Sequence, residues 1–430
     1  MKTLTRIVTV ITFCCGIYVQ AQSETSVDKS FTKEITKLKK NKKVQSAMQV
    51  IDAYEQETIE QMIVLNEIPA PPFKESARAE KFKQMFLEIG LDSVWIDAEG
   101  NVLALQKGSS NGKTVALDAH IDTVFPEETD VTVKVEGNTY TAPGIGDNSR
   151  AMALVLAVAK AIKQSNIKTN ADIVFVGTVG EEGPGDLRGV KHLFSEESDL
   201  KIDSWIAVDG GSPGRIINGA LGSKRYRAIF KGKGGHSWGA FGLANPHHAL
   251  GKAIDIFTKE ASDLILQMEE KTIFNVGRIG GGTSINSIPF ESWLEVDMRS
   301  LSPKNLIQID SVFRHSMQKA VDIYNDTNVK DKVWLELKKI GDRPSGELSK
   351  DTPLVQKALA AANGVGLAPV LKTSSTNSNI PISLGIPAVT LSRGGKTTGA
   401  HSLDEKWINS DGDKNIKLAL LLLLAEAGLR

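Results

Sequence analysis

His120 and Asp122 stand two residues apart where the apolar run 115–119 gives way to polar sequence. Strand side chains alternate between faces, so a strand over this run aims both to one side at its end. An imidazole with a carboxylate beside it suits a metal ligand; two polar residues leaving a buried strand for a loop is the plainer alternative. The pattern recurs downstream. Asp147 lies in the glycine-rich loop Ala142-Pro143-Gly144-Ile145-Gly146-Asp147-Asn148, and Glu181 and Glu182 follow the apolar run 173–179. Asp209 ends the run 205–208, and His401 closes Gly399-Ala400-His401. Each alone could be a satisfied loop residue or a cap. Seven acids and imidazoles at such places are buried charge that only cations would neutralise. Imidazole and carboxylate without sulfur suit zinc, with manganese or cobalt as alternatives. There are more donors than one ion needs, and the number fits two ions about 3.5–4 Å apart sharing one carboxylate.

Such residues need a scaffold that brings strand ends together. Hydrophobic periodicity predicts helices over 44–65, 75–89 and 151–162 and near 187–194, with Pro69, Pro71 and Pro72 breaking the first. Strands are predicted over 93–96, 102–106, 115–120, 173–179 and 205–208. An apolar strand, a polar tip and then a helix or loop, repeated, describe an α/β sheet whose strand C-termini gather polar side chains. Near Gly214 the character changes. Strands at 226–230, 272–276, 294–299 and 333–337 alternate with helices near 246–261 and 305–324, the mark of a separate antiparallel sheet covered on one face. From Gly341 the first pattern resumes, with a helix over 352–363 and strands at 370–372 and 388–391. The apolar stretch 418–425 is too short to cross a bilayer and reads as a buried terminal helix. The expectation is one catalytic α/β domain, 44–213 and 341–430, interrupted by an α+β domain over 214–340.

The 430 residues suffice for two domains with a large core. The segment 1–21 reads as a secretory signal: Lys2 and Arg6 give the positive end, 7–19 the apolar run, and Val19-Gln20-Ala21 the cleavage site. The mature protein is then exported, to the periplasm or beyond. Both cysteines, Cys14 and Cys15, fall in this segment, which leaves no disulfide and no thiol for metal or nucleophilic work. Without Lys2 and Arg6 there remain 49 basic residues against 51 acidic ones, a balance that gives no reason to expect nucleic acid or an anionic membrane as partner. Three apparent motifs fail. Gly210-Gly211-Ser212-Pro213-Gly214 matches a serine-hydrolase elbow, but Pro213 and a strand-like run follow where a helix is required. Gly108-Ser109-Ser110-Asn111-Gly112-Lys113-Thr114 is one residue short of a phosphate loop and leads into a strand. Gly280-Gly281-Gly282 lacks the strand-to-helix setting of a dinucleotide site.

His120-Ile121-Asp122-Thr123-Val124, Gly146-Asp147-Asn148, Gly180-Glu181-Glu182-Gly183, Asp209-Gly210 and Gly399-Ala400-His401-Ser402 occur in a familiar order and spacing. Over nearly everything after the first segment the chain resembles the dizinc metallopeptidase family of glutamate carboxypeptidase, peptidase T and aminoacylase. The run Glu181-Glu182-Gly183-Pro184-Gly185-Asp186-Leu187-Arg188-Gly189 resembles the peptidase T-like branch most. The resemblance implies a phosphorylase/hydrolase-like catalytic α/β domain with an inserted α+β lid that also serves dimerisation, hence a homodimer. It implies that Asp147 bridges two zinc ions, with His120 and Asp209 completing one site and Glu182 and His401 the other. Asp122 would fix the ring of His120, and Glu181 would be the general base for a metal-bridged water that attacks the amide carbonyl.

From the insert, His236 in Gly234-Gly235-His236-Ser237 resembles the lid histidine that reaches the partner's site to steady the oxyanion. Asn286 and Arg299 resemble the residues that hold the substrate carboxylate. A loop histidine and a strand arginine in a surface ion pair are their plainer readings. His192, His247, His248 and His315 are expected to be structural or solvent-facing. Asn377 stands where peptidase T-like relatives often carry an acid, which puts an electrostatic grip on a substrate amine in doubt and marks the neighbourhood of Arg299 and Asn377 as the place that sets specificity. The implied activity is exopeptidase hydrolysis of short peptides. An N-acyl-amino-acid deacylase is the alternative within the same chemistry; a metal-stabilised binding protein that has lost catalysis is the alternative outside it.

Overall fold

The computed structural model describes residues 26–109, 112–327 and 330–430, so the expected signal segment and both cysteines lie outside the described residues. The apolar strands assemble into a nine-stranded mixed sheet. Its order is Ser93–Ile96, Val102–Gln106, Asp172–Thr178, Thr114–His120, Ser204–Val208, Ala388–Leu391, Arg215–Ala220 and Gly346–Glu347, with Val370–Ser374 also paired to Arg215–Ala220. The four strands in the middle, Asp172–Thr178, Thr114–His120, Ser204–Val208 and Ala388–Leu391, are mutually parallel. They are buried on both faces, which is why they read as continuous apolar runs. Ile173 and Phe175 enter the core on one face, and Val174 and Val176 that on the other.

The first face carries the helices Lys29–Lys40, Ser76–Ile89, Ala151–Gln164, Pro353–Gly364 and Gly412–Ala427. In the last of these, Leu420 to Leu424 are wholly buried, so a single Leu→Ala change there costs about 2–5 kcal/mol. Among the described residues no helix is long and apolar enough to cross a membrane.

A second, four-stranded antiparallel sheet has the order Thr272–Gly281, Glu291–Ser300, Gly222–Lys231, Trp334–Arg343. The helices Pro246–Ile265 and Pro303–Asn325 bury Phe257 and Phe313 against its Tyr226, Val296 and Met298. The catalytic and dimerisation modules expected of the fold are thus both present as folded units.

Three expectations need correction. Strand Arg215–Ala220 pairs in the large sheet and the small sheet begins at Gly222, so the chain leaves the first unit at Leu221 rather than at 214. It returns between Arg343 and Gly346 rather than at 340. The helix expected over 44–65 is two helices, Lys42–Ala53 and Glu55–Asn66, that meet at Tyr54 without a proline or glycine to signal it. The first unit also starts before residue 44, because Ile35 and Leu38 of helix Lys29–Lys40 pack into its core.

Candidate active site and metal centre

Parallel strands that end at one edge bring whatever follows them together, and this edge is where the charged residues collect. His120 is the last residue of its strand and is in register with Thr178; Asp118 is in register with Ala207, and Leu391 with Val208. Glu181 and Glu182, Asp209, and Arg393 follow just beyond these three neighbouring strands. Asp147 comes from the loop before helix Ala151–Gln164, and His401 from the turn before strand Lys406–Ile408.

Nε2 of His120 lies 3.2 Å from Oδ1 of Asp147, and His401 Nε2 lies 3.1 Å from Glu182 Oε1 and 3.5 Å from Asp147 Oδ2. One donor atom each of His120, Asp147 and Asp209 lie within 4.8 Å of one another, and so do those of Asp147, Glu182 and His401. The two triads share Asp147, and a third, His120, Glu181 and Glu182, overlaps them. Imidazoles and carboxylates so close, with His120 and Glu181 buried, the other acids partly so and His401 exposed, form a donor set that would fit two divalent cations sharing Asp147.

Burial disfavours charge on His120, yet its bonds to Asp122 and Asp147 and the field of Asp209 outweigh it and hold its pKa well above the usual imidazole value. Burial likewise opposes the Asp147 carboxylate, but Arg393, His120 and His401 drive its pKa well below the ordinary range. Burial pushes Glu181 up to about 8, with Arg343 opposing and Glu182 reinforcing the rise.

Asp122 is wholly buried and does more than orient one ring. Its backbone carbonyl is 3.0 Å from His120 Nδ1, while its carboxylate stands 3.7 Å from that atom. The carboxylate accepts hydrogen bonds from the backbone N–H groups of Glu181 (2.9 Å) and Glu182 (2.7 Å). It therefore fixes the two glutamates as well as the histidine. They do not continue the strand, which ends at Thr178, and Gly180 turns the chain with φ +66°.

Four further residues belong to this site, and three of them carry no sequence pattern. Glu405 is fully buried and accepts from the N–H groups of Gly144, Gly146 and Asp147, clamping the loop that presents Asp147. A Cβ on Gly146 would sit 2.6 Å from Thr397 and 2.9 Å from Glu405, so only glycine fits that clamp. Arg393 approaches Asp147 Oδ1 at 3.2 Å and Asp209 Oδ1 at 3.6 Å. Arg343 holds Glu181 Oε1 at 3.0 Å and also donates to Ser375 and the Glu181 carbonyl. Arg215 approaches the turn after Asp209. Glu405, four residues after His401, offered the only signal, an acid near a ligand-like histidine.

The lid residues divide. Arg299 lines the cleft beside the acids, with Nε 2.7 Å from Asp297, which also pairs with Arg225 at 2.9 Å. His236 and Asn286 do not line it. They sit together on the exposed tip, where Gly235 and His236 pair with Ile288 and Ser287 and the Ser237 N–H donates to the Asn286 carbonyl. Trp238 and Ile285 beside them are almost fully exposed.

Asn377 is not in the cleft either. It is buried beneath the sheet edge and donates to Asp118 (2.9 Å) and Thr178 (2.6 Å), while its neighbours Ser374, Ser375 and Thr376 face the cleft. Burial raises Asp118 to about 7 against the hydrogen bonds from Asn377 and Thr178. Asn377→Asp would set a second buried carboxylate beside it, at a cost on the order of 2 kcal/mol. The pair would hold a proton more tightly folded than unfolded. Stability would fall as pH rises from the unfolded carboxylate range near 4 through the raised folded values. Thermal melts should show a deficit against the parent chain that is larger at pH 8 than at pH 5; equal deficits would refute this account.

A model of peptidase family M20/M25/M40 matches residues 116–425. The uncharacterized protein YqjE of Bacillus subtilis is 27% identical over 370 residues, 82% of this chain and 93% of that protein. An N-acetyldiaminopimelate deacetylase of Listeria innocua is 26% identical over 264 residues, 56% of this chain and 66% of the deacetylase. Among solved structures, a tripeptidase from Staphylococcus aureus superposes with a TM-score of 0.65 at 24% identity, covering 87% of this chain and 97% of that one. YXEP of Bacillus subtilis, described as a dinuclear metal binding peptidase, superposes with a TM-score of 0.62 at 17% identity over 87% of this chain and 99% of that one. These structures share the fold.

Proposed function

Because the chain belongs to peptidase family M20/M25/M40, and is thus a hydrolase of the peptidase or amidohydrolase kind, we propose that it is a two-metal exopeptidase acting on short peptides. The observation that carries this reading is the pair of donor triads sharing Asp147, with Glu181 free of both and within reach of the same space. His120, Asp147 and Asp209 would hold one ion and Asp147, Glu182 and His401 the other, zinc by the chemistry of the donors. Held there, two such ions would supply Lewis acidity toward the amide carbonyl and acidify the attacking water. Glu181 takes that water's proton as the oxygen adds to the carbonyl carbon. It then gives the proton to the nitrogen as the C–N bond breaks, releasing a carboxylic acid and an amine, between which the remaining proton passes in solution. Arg343 keeps the carboxylate of Glu181 aimed, and Asp122 keeps its backbone in place. Arg299 would bind the substrate carboxylate.

We also propose a homodimer: the lid tip with His236 and Asn286 lies away from its own cleft, among exposed Trp238 and Ile285, and would complete the partner's site. Export rests on the N-terminal segment.

Chelation is expected to stop peptide hydrolysis and zinc to restore it. Tm should also drop by several degrees on chelation, because the clustered carboxylates lose the cations that bind only the folded chain. A chain that binds zinc, gains stability from it and hydrolyses no amide would instead be a metal-stabilised binding protein. The similarity to a deacetylase keeps N-acyl amino acids as the second reading. Rates on tripeptides, dipeptides and N-acetyl amino acids separate the two.

A further inference from the structure

Five arginines line the cleft of about 570 Å³: Arg215, Arg225, Arg299, Arg343 and Arg393. Four of them have acidic partners. Arg343 is paired with Glu181, Arg393 with Asp147 and Asp209, and Arg225 and Arg299 share Asp297. Arg215 has none. Its side chain makes no hydrogen bond or ion pair with any described residue, and its buried Nε is left without an acceptor. Its place is set by register. Strand Arg215–Ala220 is antiparallel to Ala388–Leu391, with Ile217 opposite Thr390 and Ile216 opposite Leu391, so Arg215 falls beside the turn that carries Arg393. The guanidinium lies over Gly210, the residue after Asp209. A Cβ there would come within 3.2 Å of Arg215 Nη1, and the φ of +82° at Gly210 favours glycine.

Charge decides what such a cleft accepts. Two divalent cations would offset the carboxylates of Asp147, Glu181, Glu182 and Asp209, leaving Asp297 between Arg225 and Arg299, Asp186 4.0 Å from Arg343, and no acid for Arg215. A substrate with a single carboxylate satisfies one of the arginines. An unpaired guanidinium facing the reaction site is costly to keep unless the ligand supplies the anion, and carboxylate is the planar partner its fork fits best.

We infer that Arg215 reads a side-chain carboxylate of the substrate, so that the preferred substrates are peptides or N-acyl amino acids with aspartate or glutamate next to the scissile bond. This rests on the amide-hydrolase reading above. The inference is that the wild-type, zinc-loaded enzyme favours a glutamyl substrate over its glutaminyl isostere by about 10-fold or more in kcat/KM. Arg215→Met should bring the ratio close to one, chiefly by raising KM for the glutamyl substrate. Arg215→Lys should retain part of it, because the charge survives without the fork.

Calorimetry with free glutamate and free glutamine makes the same comparison without turnover. Glutamate should bind the zinc-loaded wild type more tightly, and Arg215→Met should lose that difference. A wild type with no preference for the acid in either measurement, or an Arg215→Met enzyme that keeps it, overturns the inference. Calorimetric discrimination by a chain that cleaves no amide would sink the hydrolase reading while leaving the role of Arg215 standing.

Discussion

Glu181→Gln should lower kcat by about 10²–10⁴-fold while zinc content, measured on the purified protein, stays unchanged. The substitution is nearly isosteric and leaves both triads that share Asp147 intact. Arg343 keeps an oxygen acceptor, and the backbone N–H of residue 181 still donates to Asp122. What is lost is basicity. Burial holds the Glu181 carboxylate at about 8 against the pull of Arg343, and nearby cations would bring it down toward neutral pH, where a base is best matched to its task. Retained turnover, or a loss that tracks lost zinc, would remove Glu181 from the role of base.

The second large effect concerns the tip of the lid. His236→Ala should cost about 10²–10³-fold in kcat if its imidazole steadies an oxyanion. The more telling experiment mixes two defective proteins. Glu181→Gln subunits still carry a working His236, and His236→Ala subunits still carry a working Glu181. Unfolded together and refolded, they should regain about a quarter of wild-type activity, because half of the dimers are mixed and each mixed dimer has one complete site. No recovery, with mixed dimers demonstrated by a tag on one partner, would mean that His236 does not act across subunits.

The sequence made one class of residue legible and hid another. His120, Asp147, Glu181, Glu182, Asp209 and His401 each follow an apolar strand or sit in a glycine-rich loop, and parallel strands must bring such ends to one edge. Their meeting could be read from pattern alone. Arg343, Arg393, Arg215 and Glu405 could not, because each matters through a partner distant in sequence, and an arginine or glutamate in a loop is ordinary in composition. Asn377 was misplaced for a related reason: counting along Thr373-Ser374-Ser375-Thr376 sets the neighbourhood but not which side chain faces inward, and here the buried Asp118 claims the amide. The boundaries of the insert slipped because strand Arg215–Ala220 is apolar and strand-like whichever sheet it joins, and only pairing assigns it to the larger one.

The two crossings between the sheets, at Leu221 and at residues 344–345, are neighbours, because strands Gly222–Lys231 and Trp334–Arg343 pair from one end to the other. A body hung from another by two adjacent ribbons has one soft direction, rotation about the line through its attachments. Arg343 and Arg299 both lie in register with Ser223, one residue from the start of the first ribbon, so they sit close to the pivot. His236 lies past the far end of that ten-residue strand, about 30 Å away. A swing of about 10° would carry the tip roughly 5 Å and leave the two guanidinia almost where they were. The end of the molecule that grips charge is its axle, and the end that carries the imidazole is its rim.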